Sequence, residues 1–416
     1  MEYNVRMEKI TTAIIGGGAS GLLLACLLSG TGEKTVLFER GERVGRKLSA
    51  TGNGQGNVTN LSANAESYFS STKTGEVIKD ALALASPSDF MEYLRSLGLL
   101  LISDARGRVY PAGRQASAVT DALRSFAADR GTQLRLQTRV TKLERENNDY
   151  IITLFTPNGE EKVRAETVVL CAGGKAAKNF GTDGTAYALV KPFGHTITPL
   201  YPSLVQLKTE TAKIKTWKGI RTPDIRVTAS WAEGKEIKTL TLTGDVIFTD
   251  FGVSGDAVFR LSAFVADKLE SGNVTLTLDF LPDFTREQIV KALYEKRVNF
   301  STISDTELLC GMVNNQIART VMKLSEGEIK VAAKLVKAFP IQVVGSLGFD
   351  YAQVTKGGIP LSETDENLQS KFVENLYFAG EILDVDGQCG GYNLQWAYAS
   401  AKRVAMAIAQ KTRGQV

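Results

Sequence analysis

Residues 7–21 read MEKITTAIIGGGASG, and this stretch decides the fold. Thr11 to Ile15 are β-branched or apolar throughout, as in a strand buried on both faces. Gly16-x-Gly18-x-x-Gly21 follows, then LLLACLLSGTG, a small and apolar helical run ending at Gly30. Strand, glycine turn and helix in that order form the dinucleotide-binding fingerprint. Gly16 makes the tight turn, Gly18 lets backbone approach a pyrophosphate, and Gly21 lets the helix pack on the strand. The helix N-terminus then faces the anion. A second strand, Lys34 to Phe38, ends in Glu39, about 20 residues beyond the glycines, where the fingerprint places a carboxylate on ribose hydroxyls. An acid there suits the unphosphorylated ribose of FAD or NAD better than that of NADP.

The chain after Glu39 runs through Val44-Gly45-Arg46-Lys47 into SATGNGQGNVTN, a loop of Gly, Asn and Thr. It leaves the carboxyl end of a strand, where doubly wound sheets bind their ligands. Arg46 or Lys47 is placed to reach a pyrophosphate, and Asn53 and Asn57 to meet the polar edge of a flavin. A second glycine-rich bend lies far away, in FAGEILDVDGQCGGYNLQWAYASA, residues 378–401. The strand-like LYFA before it is expected to complete the same sheet. The loop from Glu381 to Gly391 then opens over the same crevice. A helix starting near Tyr392 would aim its positive end at a polar ring edge.

Composition narrows the class. The 416 residues are 43% hydrophobic and carry a net charge of +4 from 49 basic and 45 acidic side chains. No basic stripe with interleaved aromatics points to nucleic acid, so a small-molecule substrate and no nucleic-acid partner are expected. The opening MEYNVRMEKITTAIIGGG lacks the order of a signal peptide, and no apolar run approaches the roughly 20 residues of a membrane helix. A cytoplasmic location and no membrane partner are expected. Four scattered cysteines without a C-x-x-C, and a single histidine, His195, exclude a dithiol relay and a multi-histidine metal site.

Between the glycine segments, residues 135–174 show three strand-like runs, LRLQTRVTKLE, DYIITLFTP and EKVRAETVVLCAGG, separated by turn residues. Before them, GRVYPAGRQASAVTDALRSFAADRG reads as a loop carrying Tyr110 and Arg114, then a helix. Residues from about 196 to 281 alternate apolar and polar at period two. From Thr285 a capping box with Gln288 opens a helical stretch through IVKALYEKRV and ELLCGMVNNQIARTVMKL. GEIKVAAKLVKAF follows, and strands resume at IQVVG. The expected organisation is a discontinuous nucleotide domain, 1–195 with 343–416. It is interrupted by a β-rich insert, 196–283 with part of 340–360, and a helical insert, 284–342.

GGGASGLLLA, GRKLSATGNGQGNVTN, GRVYPAGRQASAVTDAL, GHTITPLYPSLVQL, GDVIFTDFGVSGDAVFRLS and LYFAGEILDVDGQCGGYNLQWAYASA resemble the BaiN/YhiN-like flavoproteins over residues from about 10 to 410. The resemblance implies an α/β fold: a glutathione-reductase-like, FAD-binding Rossmann domain interrupted by an insert with a β-barrel-like part and a helical bundle. It implies FAD across Gly16, Gly18, Ala19, Ser20, Gly21, Glu39, Arg40, Arg46, Lys47, Asn53, Gly54 and Asn57. The same site takes in Ala172, Gly173, Gly380, Glu381, Asp386, Gly391, Tyr392, Asn393 and Leu394, with Val140 beside the adenine. The family carries Arg-Cys where this chain has Gln55-Gly56, which removes a charge and a thiol from that loop.

A flavin implies hydride transfer at its N5, with a side chain or water moving the proton. Tyr110, Arg114, Tyr201, Asp250 and Tyr392 are candidates on expected cleft loops. His195 reads as a structural, hydrogen-bonded residue, and Cys389 lies beside Gly390. The leading expectation is an FAD-dependent oxidoreductase acting on a small molecule. By the resemblance, it would reduce an activated C=C such as that of an unsaturated 3-oxo bile acid or steroid, with NAD(P)H as candidate donor. An amine oxidase using oxygen, a flavin-bound redox sensor and an RNA-modifying flavoprotein stand as alternatives.

Overall fold

The computed structural model describes residues 7–30, 34–72, 75–269 and 274–413, with backbone only at 412 and 413. Thr31 and Gly32, at the end of the first helical run, and the first six residues lie outside the described residues. The chain forms two compact units: Met1–Tyr201 with Val354–Val416, and Pro202–Gln353.

In the first unit a seven-stranded sheet is built on Glu8–Ile15. Thr35–Phe38 and Gly159–Leu170 flank it in parallel, and Gln133–Arg135 extends the sheet beyond Thr35–Phe38. The twelve-residue strand Gly159–Leu170 has two partners along its outer edge. Its first half pairs antiparallel with Asp149–Thr156, which pairs in turn with Arg139–Glu146. Its end pairs in parallel with Leu376–Phe378. The run LRLQTRVTKLE is therefore two strands and not one, broken where Gln137 takes φ +49°. Helices Ala19–Leu28, Ala116–Asp129 and Tyr392–Arg413 belong to this unit, and their apolar faces join the sheet in one core with Leu22, Leu24, Leu123, Trp396 and Val404 fully or almost fully buried. Tyr110, expected on a loop, lies in the strand Arg108–Pro111 of a small three-stranded sheet.

The second unit is a closed antiparallel barrel. Around it, in order, run Leu207–Thr209, Gly252–Ser254, Glu236–Phe248, Arg221–Glu233, Val274–Asp279 and Phe339–Ser346. Closure removes every sheet edge. Val227, Ala229, Leu276, Leu278 and Phe248 fill its interior, and the Trp217 ring meets Phe248 at 4.9 Å and Phe339 at 4.8 Å between centroids. Phe339–Ser346 belongs wholly to this barrel, and the first compact unit takes up the chain again at Val354. Two further expectations change. Asp256–Val265, within the β-rich stretch, is a helix. ELLCGMVNNQIARTVMKL becomes helical only at Asn315, where the Asn314 side chain accepts from Gln316 N at 2.9 Å and starts the helix anew. The Thr285–Gln288 capping box is present in both directions, at 3.2 and 2.8 Å.

Candidate functional site

Four parallel strands end level with one another. Ile15 lies opposite Phe38 and Leu170, and Leu170 lies opposite Phe378. The segments that follow, at Gly16, Glu39, Cys171 and Ala379, leave from one edge of the sheet. Strand register thus brings the two glycine segments together across more than 350 residues of sequence.

Each glycine of the first turn has its own reason. Gly16 takes φ +108°, and a Cβ there would sit 2.6 Å from the Cys171 carbonyl oxygen, so the crossing of two strand exits demands glycine. A Cβ on Gly21 would be driven into the Gly16 carbonyl oxygen. Gly18 differs from both. Its φ of −79° suits any residue, and a Cβ would meet no protein atom within 4 Å. Packing does not require a glycine there, whereas a ligand lying against that backbone would. Gly18 also caps the helix beginning at Ala19 and Ser20, which has no side-chain cap and no acid in its first turn. Its first N–H groups are therefore arranged for an anion.

Glu39 accepts from Gly17 N at 2.9 Å through Oε2 and from Gly41 N at 2.7 Å through Oε1. This fixes the carboxylate against the turn, and each oxygen keeps a second lone pair able to accept a further hydrogen bond. The Thr138 N–H donates to the Glu39 carbonyl at 2.9 Å, bringing the half-buried Val140 towards that corner. Arg40 pairs with Asp183 at 2.8 Å and donates to the Gly181 carbonyl. Burial alone would raise the Asp183 carboxyl, but the hydrogen bonds from Arg40 and Thr185 hold it at about 2. Arg40 thus ties the strand exit to the 181–185 loop.

Arg46 and Lys47, expected to reach a pyrophosphate, are engaged by protein. Lys47 pairs with Glu381 at 2.6 Å, and Arg46 donates to the Asn179 carbonyl at 2.7 Å. The other Glu381 oxygen accepts from Thr355 N at 2.9 Å. The buried Thr355 hydroxyl accepts from Lys175 N and Ala176 N, fixing the turn that carries Ala172 and Gly173. Asn57 is buried, and its amide donates to the carbonyls of Thr59 and Val109 at 3.0 and 3.1 Å, so the side chain holds the loop and does not present its N–H to a ring. Asn53 and Gly54 lie exposed in left-handed conformation, at φ +55° and +83°.

The second segment is held as tightly. Gly380, at φ +79°, packs against Ser20, and its N–H donates to the Ser400 hydroxyl at 2.9 Å. The Asn393 amide accepts from Gly387 N at 2.8 Å and donates back to Gly387 O at 2.9 Å, closing the bend around the buried Asp386. A Cβ on Gly391 would run into the Thr59 carbonyl. The helix starts immediately after it, at Tyr392, with the half-buried Leu394 within its first turn. Gln395, fully buried, accepts from the Thr59 hydroxyl and donates to the Ala85 carbonyl, both at 2.6 Å.

Each catalytic candidate has its own surroundings. Tyr392 is buried against Tyr68, whose hydroxyl donates to the Tyr392 carbonyl at 2.9 Å. Tyr110 is buried beneath Arg114, whose guanidinium carbon lies 4.2 Å from the ring centroid. Asp250 belongs to the second unit and forms an exposed pair with Lys218 at 3.1 Å, which lowers its pKa. Tyr201, half-buried, is the last residue of the first unit before the insert. His195 is buried between Glu363 and Ser370. Thr59, Thr355 and Gln395 were not anticipated. Isolated polar residues in apolar surroundings were their only sequence signal.

The fold and these fixed turns suit FAD. The family described as HI0933-like protein Rossmann domain matches residues 10–407. A protein of Clostridium scindens named 3-dehydro-bile acid delta(4,6)-reductase is 32% identical and spans 96% of this chain and 98% of that one. A Haemophilus influenzae protein named ribosomal RNA dihydrouridine synthase is 27% identical over 96% and 98% of the two chains. Among solved structures, a 3-ketosteroid-Δ4-(5α)-dehydrogenase of Rhodococcus jostii shares the fold with a TM-score of 0.51 at 14% identity, over 98% of each chain. Among the described residues no helix is long and apolar enough to cross a membrane. The protein is an FAD-dependent oxidoreductase. It belongs to the HI0933-like Rossmann family, the BaiN/YhiN-like flavoproteins whose motifs it carries.

Proposed function

We propose that this chain reduces a carbon–carbon double bond conjugated to a carbonyl, on a steroid-like small molecule, with NAD(P)H as electron donor. The observation that carries the cofactor half of this reading is Gly18, a glycine that neither backbone conformation nor packing explains. It lies on the edge where the two glycine segments converge. Similarity along almost the whole length to the bile acid reductase supports the substrate half.

In this reading the Gly16–Gly21 turn and the N-terminus of its helix take the pyrophosphate, with Ala19 and Ser20 supplying backbone N–H groups. Glu39 accepts from the ribose, and Val140 lies by the adenine. Ala172, Gly173, Gly380 and Glu381 line the path between. The Gly391–Leu394 helix start turns its positive end towards the polar edge of the ring. Held by these residues, FAD would supply the two-electron chemistry, by which a hydride equivalent from the donor adds to the carbon β to the carbonyl and a proton from water or a side chain adds to the α carbon. Lys47, Arg40 and Asn57 serve by holding the surrounding loops.

A second reading rests on the relatives named ribosomal RNA dihydrouridine synthase, from Haemophilus influenzae and Escherichia coli, the latter 26% identical. Reduction of a uracil C5=C6 bond, conjugated to C4=O, is the same reaction on a different molecule, so nucleic acid stands as the alternative substrate. The test is anaerobic rapid mixing of the FAD-loaded protein with NADH, then NADPH, followed by a 3-oxo-4-ene steroid or rRNA. Bleaching of the flavin band by a nicotinamide and its return on adding the steroid is the expected result. Return only with rRNA moves the assignment to the second reading. No bleaching by either nucleotide, with reduction by an amine, overturns both in favour of an oxidase.

A further inference from the structure

Arg114 is an exposed arginine held in one place. Its backbone takes φ +49°, uncommon for a residue with a Cβ. Its N–H donates to the Pro111 carbonyl at 2.8 Å. The guanidinium lies 4.2 Å from the Tyr110 ring centroid, and Nη1 donates to Gln55 Oε1 at 3.1 Å. No carboxylate among the described residues pairs with it. The contrast is with Arg108, over the same ring at 6.0 Å, which is paired to Asp104 at 2.7 Å. Stacking and one amide oxygen orient the Arg114 fork and leave its charge uncompensated.

Its surroundings are partly apolar. Ile102 lies directly opposite Tyr110 in the small sheet and is 39% exposed, and Leu100, two residues along the same face, is 77% exposed. The arginine is also tied to the loop expected to meet the flavin. Ala116 N donates to the Gly54 carbonyl at 2.8 Å, and Gly56 packs against Ala116.

We infer that Arg114 is a specificity-determining residue that binds a carboxylate on the substrate, with Leu100 and Ile102 receiving the adjoining apolar body. The inference deepens the reductase reading and rests on it for the substrate skeleton. A planar fork already oriented by Tyr110 and Gln55 binds a carboxylate bidentately with little further ordering. The substrate class is accordingly an amphipathic organic acid, its carboxylate remote from the double bond that is reduced.

The experiment uses the full chain loaded with FAD. Calorimetry measures binding of a saturated 3-oxo steroid acid and of its methyl ester to the wild type and to Arg114→Met. Turnover of the corresponding 4-ene acid and ester is measured alongside. The wild type is expected to bind the acid at least about tenfold more tightly than the ester, the worth of one charge-assisted hydrogen-bond pair. That preference should vanish in Arg114→Met, with ester affinity and flavin content unchanged, and return in part in Arg114→Lys. An acid preference that persists in Arg114→Met overturns the inference, as do equal affinities in the wild type or binding of neither compound. An Arg114-dependent preference for the acid without turnover of any enone leaves this inference standing and fails the reductase reading. Turnover of acid and ester alike, in wild type and variant, does the reverse. Arg114-dependent binding of rRNA in place of the acid also overturns it.

Discussion

His195 shows how local geometry fixes a protonation state. Ser370 Oγ accepts from Phe372 N and Val373 N at 3.1 and 3.2 Å, which fills its lone pairs, so its own hydrogen points at His195 Nε2, 2.7 Å away. Nε2 is then an acceptor, and Nδ1–H donates to Glu363 at 2.9 Å. Burial pulls the imidazole below its ordinary pKa and outweighs the rise contributed by Glu363. The unfolded chain takes up a proton below about 6.5 that the native state refuses. Stability is therefore full above that pH and falls as pH drops from about 6.5 through the lowered native value. Because the chain has one histidine, nitrogen-correlated NMR of the imidazole reads this directly. A neutral Nδ1–H tautomer that resists titration at pH 6.5 is expected, and a ring titrating at or above 6.5 refutes the assignment. His195→Gln should cost on the order of 1–3 kcal/mol, from buried partners left unsatisfied, and flatten the pH dependence of unfolding between pH 5.5 and 7.5. Sequence reading reached the bland role for this residue. It could not reach Glu363 and Ser370, about 170 positions away, because nothing local to Gly194-His195 announces them.

At the scale of an element, the first turn and helix separate two kinds of glycine that look alike in the motif. Gly21 is required by packing on Gly16, whereas Gly18 faces open space. Gly21→Ala should destabilise the protein by at least about 3 kcal/mol, the upper end of overpacking costs, or prevent folding, since backbone on both sides cannot yield. Gly18→Ala should leave the melting temperature of the FAD-free protein within the range of a surface change, about 0.5 kcal/mol. It should nonetheless weaken FAD retention at least about tenfold, measured by flavin fluorescence on dilution. A Gly18→Ala protein that holds FAD as tightly as the wild type would remove the main support for the cofactor site. The spacing alone placed strand, turn, helix and Glu39 correctly, because each is a local consequence of residue type. It could not show that Arg46, Lys47 and Asn57 are held by Asn179, Glu381 and Val109, because these partners lie far away along the chain. The helix at Asp256–Val265 was lost for a related reason: it is one short amphipathic run between strands, and period two on both sides masked it.

For the whole molecule, the two hydrophobic cores share no residue. One draws on positions 10–190 and 359–408, the other on 207–343. The insert also closes on itself. Leu207 pairs with Ser346 and Lys208 with Gly345, and Gln353 N donates to the Leu204 carbonyl at 3.1 Å, so the ends of the segment meet through their own backbone. Alternation at period two revealed the strands of this unit. The alternation does not show the closure, which joins one strand near the start of the segment to one near its end; the barrel-like part was expected from the family resemblance alone. A chain segment with its own core, no open sheet edge and adjacent ends meets the conditions for independent folding. Residues 202–353 expressed alone should therefore unfold cooperatively. The three tryptophans make the test specific: Trp217 is fully buried in the barrel unit, Trp231 lies in the same unit, and Trp396 is in the other. In the fragment, emission should be blue-shifted and move to the red in one transition that coincides with loss of far-ultraviolet circular dichroism. In the full protein with Trp217→Phe and Trp231→Phe, Trp396 reports the nucleotide-binding unit alone. FAD should raise the transition seen by Trp396 and leave the barrel's transition where the isolated fragment has it, because a ligand stabilises only the cooperative unit that binds it. A fragment with red-shifted emission and a sloping, uncooperative melt would show instead that the barrel depends on the rest of the chain.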